Sequence, residues 1–110
     1  MGYFYLIIAI LFELLGTLAL KESQSFSRLG PSVVCTIGYM SAFYFMSLSM
    51  KTIPVAISYA IWSAVGLVLI TVLSAIRFNE QPDTPAIIGL TLIVIGVFCL
   101  TTLSKMDVHV

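Results

Sequence analysis

With 110 residues, 60% of them hydrophobic and 9% charged, and a mean hydropathy of +1.12, the chain is too apolar for an ordinary water-soluble domain, whose charged share is about 25%. Five basic and five acidic residues leave zero formal net charge and no basic run, which argues against nucleic acid as a partner. A single domain, residues 1–110, has room for four bilayer-spanning helices and little else.

The first apolar run is Tyr3 to Leu20. Its 18 residues make ~27 Å of helix, about the thickness of bilayer hydrocarbon. It has neither a basic leading segment nor a small-residue cleavage site and is expected to be a retained span rather than a signal peptide. Its one carboxylic acid is Glu13, about 15 Å along the helix from Tyr3 and so near the midplane. Acids at that depth are costly, and where they occur they face a cavity and bind or relay ions. Ala9, Gly16 and Thr17 share the face of Glu13 and leave room beside it for a ligand or another helix. Burial favours the neutral acid, whereas a hydrophobic cation favours the ionised form, so proton and cation compete for the same oxygens. The alternative is an acid that hydrogen-bonds across helices as structural glue.

A polar stretch, Lys21 to Pro31, leads to the second run, Ser32 to Met50. Tyr39, Phe43 and Met46 fall at i, i+4 and i+7 on one face; packing and ligand contact both suit such a stripe. Pro54 has the fixed φ of a helix start, and the third run, Val55 to Ile76, carries Tyr59, Trp62, Ser63 and Gly66 at similar spacing. Tryptophan favours the headgroup interface, yet Trp62 lies about 10 Å inside. Stacking on a cation gives a buried indole a use, and Gly66 gives the helix a place to bend. Pro82 and Pro85 flank the next turn, before a fourth run from Ala86 to Leu103. That run has no charge and no aromatic stripe, but Gly89 and Gly96 lie on one face, the pattern of close helix association. The runs do not alternate as barrel strands would, so the fold expected is four transmembrane helices, residues 3–20, 32–50, 55–76 and 86–103. Cys35 and Cys99 sit inside apolar runs and read as packing residues; neither number nor spacing suggests a metal or a disulfide. His109 reads as a solvated tail residue.

Four such helices enclose little volume, and a drug-sized pocket needs about 300 Å³ or more. The chamber is therefore expected between two copies, with two Glu13 carboxyls facing it. Lys21, Arg28 and Arg77 would lie on one side of the membrane, Lys51 and Lys105 on the other. So small a bias lets the chain insert either way up, and an antiparallel pair has the inverted symmetry that alternating access uses.

Together, Glu13-Leu14-Leu15-Gly16-Thr17 with Leu20-Lys21, Phe26-Ser27-Arg28-Leu29-Gly30-Pro31-Ser32, Ile53-Pro54, Tyr59-Ala60-Ile61-Trp62-Ser63 with Gly66, and Gly89-Leu90-Thr91-Leu92-Ile93 with Gly96-Val97 give a chain that resembles the small multidrug resistance family over essentially its whole length. The resemblance implies a proton-coupled antiporter of the bacterial inner membrane, an antiparallel homodimer of eight helices that expels lipophilic and quaternary-ammonium cations with no cofactor beyond the proton gradient. It further implies Glu13 as the shared proton and cation site, Tyr59 and Trp62 as stacking walls, Tyr39 and Tyr3 as further lining, and Gly89 and Gly96 on the dimerising helix. The guanidinium-exporting branch has a tryptophan three residues after the acid. Gly16 stands there instead, so the chain resembles the quaternary-ammonium branch. Two positions depart from the family pattern: Ala64 replaces the first glycine of a Gly-Val-Gly stretch, and Ala42 stands where serine is common.

Three rivals differ in kind. A guanidinium exporter is disfavoured by Gly16, and an ion channel by apolar faces without the polar rings of a filter. A non-transporting accessory subunit would use the glycine face to dock a larger partner. No nucleophile–base pair or metal cluster suggests an enzyme.

Overall fold

The computed structural model describes residues 2–105 and 107; His109 lies outside them. Four helices follow one another: α1 (Gly2–Glu22), α2 (Leu29–Ser49), α3 (Val55–Arg77) and α4 (Thr84–Thr102), with no strand among the described residues. Each is long and apolar enough to cross a membrane. The chain is an all-α, multi-pass membrane protein.

The helix ends follow from proline and capping chemistry. α1 continues two residues past Leu20, and α2 begins at Leu29, three residues before Ser32. Pro31 therefore sits in the first turn of α2, where a backbone N–H would have no intrahelical acceptor and its loss costs nothing. Pro54, with φ −54°, caps the start of α3. Pro85 is the second residue of α4, whose N-cap Asp83 accepts the Ala86 N–H at 3.0 Å. The α1–α2 turn is held by Ser23, fully buried, whose Oγ donates to the Leu20 carbonyl (2.7 Å) and accepts the Phe26 N–H (3.1 Å). Those bonds hold Gln24, Ser25 and Phe26 at φ 48°, 63° and 65°, a left-handed stretch that costs L-residues about 1–2 kcal/mol each.

α1 lies in the middle, with α2 and α3 packed on it and α4 packed on α3. The Cα atoms span 44 × 34 × 18 Å, so the molecule is a slab. Its core joins Leu6, Ala9, Ile10 and Leu14 of α1 to Met46 of α2, Ile53 of the next turn and Ile57 of α3. That places the dense packing towards one end, where Gly2 sits against Thr52 and Ile53. The opposite end is tied by charge. Lys21 pairs with Glu80 and Arg77 with Glu22, and both cations approach the Phe78 ring, Lys21 at 4.8 Å and Arg77 at 5.9 Å. α4 has no buried residue.

Candidate functional site: a carboxyl under an aromatic arc

α1 presents Glu13 and Thr17 one turn apart, the spacing at which helical side chains meet. Thr17 Oγ1 donates to Glu13 Oε1 at 2.7 Å and lies 2.5 Å from Tyr39 Oη. What brings Tyr39 there is a crossing of two bare backbones. A Cβ on Gly38 would stand 3.1 Å from Gly16 Cα, Gly16 N and the Phe12 carbonyl oxygen, and one on Gly16 3.3 Å from the Tyr39 ring. Cys35 and Ala42, one turn either side of Gly38, are buried in the same contact face of α2. Small residues at this spacing are how membrane helices approach closely.

α3 closes the other flank. A Cβ on Gly66 would lie 3.1 Å from Glu13 Oε2, so the missing side chain is the space the carboxyl occupies. Glu13 Oε2 and Trp62 Nε1 are both buried with no hydrogen-bond partner. Native structures hold few such orphans, and each asks for an explanation. Here an acceptor and a donor go unsatisfied in residues of one open pocket of about 220 Å³, lined by Glu13, Trp62, Ser63, Gly66 and Leu67. That is below the ~300 Å³ of a drug-sized site.

Four rings run beside it from α2 to α3. Tyr39 stacks with Phe43 at 6.3 Å between centroids, Phe43 meets Trp62 at 6.3 Å and 56°, and Trp62 meets Tyr59 edge-on at 5.6 Å. Phe43 and Tyr59 are each 58% exposed, so the arc is open outward. The stripe on α2 thus divides: Tyr39 and Phe43 join the arc, and Met46 is buried in the core. Of the residues singled out in the sequence, Glu13, Tyr39, Phe43, Tyr59, Trp62 and Ser63 come together. Tyr3 does not; it is exposed near the start of α1, about 15 Å along the helix from Glu13. Gly89 and Gly96 lie on α4 with nothing within 4 Å of an added Cβ. Gly38 and the Thr17 hydroxyl complete the site, and in the sequence the small residues Cys35, Gly38 and Ala42 carry the signal for the close crossing.

A family model described as "Small Multidrug Resistance protein" matches residues 1–93. The chain is 45% identical to the quaternary ammonium compound-resistance protein QacE of Escherichia coli over 98% of both chains. It is 46% identical to the multidrug transporter EmrE of Escherichia coli (strain K12) over 97% of both. With the quaternary ammonium compound-resistance protein QacH of Staphylococcus saprophyticus it shares 41% identity over 96% of this chain and 98% of that one.

Proposed function

The chain belongs to the small multidrug resistance family, and from that premise we propose that it is a proton-coupled antiporter of the bacterial inner membrane exporting lipophilic and quaternary-ammonium cations. Glu13 is the shared proton and cation site. The observation that carries this reading is the Glu13 carboxyl itself, one oxygen anchored by Thr17 and the other buried without a partner beside an orphaned indole N–H. A buried anion needs a counter-charge, and among the described residues the charged side chains of α1 and α3 other than Glu13 lie at the helix ends, at Lys21, Glu22 and Arg77. The missing positive charge is the cargo: a proton on one half of the cycle, an organic cation on the other.

Glu13 takes a proton on the acidic side, releases it inward and then accepts a cation, whose charge the carboxylate balances and whose apolar faces stack on the arc, each contact worth ~0.5–2 kcal/mol. Re-exposure of the site carries the cation out. No cofactor takes part; the proton gradient supplies the work. The undersized pocket and the bare α4 face support a working unit of two copies, antiparallel, with the gap between them as the chamber. Gly16, where the guanidinium-exporting branch has tryptophan, supports drug cations over guanidinium; here the position is filled by the α1–α2 contact, since an added Cβ would stand 3.3 Å from the Tyr39 ring and 3.4 Å from the Cys35 carbonyl oxygen.

The test is binding of tetraphenylphosphonium to purified protein across pH. Affinity is expected to rise with pH and level off once Glu13 is ionised, and Glu13→Gln is expected to lose both the affinity and its pH dependence. A Glu13→Gln protein that binds as the parent does would remove Glu13 from the mechanism.

A further inference from the structure

The two oxygens of the Glu13 carboxyl have unequal surroundings, and the inequality traces to one hydroxyl. A threonine hydroxyl has a single hydrogen. Thr17 gives it to Glu13 Oε1 at 2.7 Å, so the 2.5 Å contact with Tyr39 must have the phenol donating to Thr17 Oγ1. The order is Tyr39 Oη–H to Thr17 Oγ1–H to Glu13 Oε1. With the acid ionised, both hydrogens point towards the carboxylate and Oε1 is held as an acceptor. Oε2 has no partner and rests against Gly66.

We infer that Thr17 is a positioning residue that assigns the two oxygens different work: Oε1 is a fixed anchor, and Oε2 is the oxygen that takes the proton or faces the cation. This deepens the antiporter reading and rests on it. Each proton exchange then leaves the anchor bond in place, so the carboxyl need not rotate between guests. A donor aimed at a carboxylate bonds more strongly than one aimed at a neutral acid, so removing the hydroxyl is expected to change the competition between the two guests. Of the titratable groups on the helices packed against α1, Tyr39 reaches the carboxyl through Thr17, Tyr59 lies against the Trp62 ring, and Cys35 is buried on α2. The orientation depends in turn on the Gly16–Gly38 crossing, which sets the distance between Tyr39 and α1.

Three variants separate the roles. Thr17→Val keeps the shape and removes the hydroxyl; Thr17→Ser keeps the hydroxyl; Tyr39→Phe leaves the Thr17–Glu13 bond and removes the outer donor. In tetraphenylphosphonium binding across pH, the midpoint for Thr17→Val is expected to move up by about one unit, a tenfold gain for the proton. Thr17→Ser is expected to return it to the parent value, and Tyr39→Phe to shift it up by less. In infrared difference spectra of the protonated state, the Glu13 carbonyl band is expected at higher frequency in Thr17→Val, as for a carbonyl that has lost its donor. Tyr39→Phe supplies the pH measurement if Thr17→Val does not assemble. Parent-like midpoints in Thr17→Val and Tyr39→Phe, or an unmoved carbonyl band, would overturn the inference while leaving the antiporter intact, provided Glu13→Gln still abolishes pH-dependent binding. If Glu13→Gln does not abolish it, both readings fall.

Discussion

Trp62 is the residue whose removal separates stacking from charge. Its ring stands between Phe43 and Tyr59, so Trp62→Ala opens the arc at its centre. One lost cation–π contact of ~0.5–2 kcal/mol predicts roughly two- to thirtyfold weaker tetraphenylphosphonium binding by calorimetry at a fixed pH. Trp62→Phe keeps a ring and is expected to recover most of that; equal losses in both would show that the indole N–H, not the face, is what counts. Gly38 tests packing. The atoms a Gly38 Cβ would press upon are backbone, so Gly38→Ala forces α1 and α2 apart, at a cost of about 1–3 kcal/mol for overpacking, read as a lower unfolding temperature in detergent. Glu13 was legible in the sequence as a candidate because an ionisable group in oil is costly, and Trp62 because of its depth. Gly38 and the Thr17–Tyr39 bond were not, since a glycine in an apolar run is silent until the opposing backbone is known. A contact across 22 residues needs the register between two helices, which periodicity within either one does not contain.

Among the helices, α4 is the one that packing leaves unexplained. It touches α3, buries no residue, and presents Gly89 and Gly96 to open space. Leucine at both positions is expected to convert a dimer into monomers in analytical ultracentrifugation, with helix content by circular dichroism unchanged; a dimer that survives would move the interface to another face. At the charged end, the Glu22–Arg77 and Lys21–Glu80 pairs are roughly half exposed, and such pairs contribute about 0–1 kcal/mol each. Glu22→Gln is therefore expected to leave the unfolding temperature within a few degrees of the parent. The four spans could be read off hydropathy alone, because lipid leaves a segment of this length few alternatives to helix. Their ends were harder: the apolar pattern starts the second run at Ser32, yet the helix starts at Leu29, because the first turn of a helix is where proline does no harm.

At the scale of the whole molecule, the slab 18 Å thick holds its site on a flank that one copy does not cover. Reporter fusions at the C-terminus, read on each side of the membrane, are expected to give signal from both sides if the chain inserts in two orientations; a one-sided signal would require a parallel pair or a second kind of chain. The uneven packing has a mechanical result. Bolted together where Gly16 meets Gly38, α1 and α2 make one leaf of a book, while α3 carries α4 as the other. The spine is the turn at residues 50–54, stiffened by Ile53 in the core, and the free edges meet at a clasp of opposite charges that water and salt can loosen. A cation lodged against Gly66, as proposed, would wedge between the leaves, so spin labels on the helices are expected to report a changed α1–α3 distance and an unchanged α1–α2 distance when tetraphenylphosphonium is added.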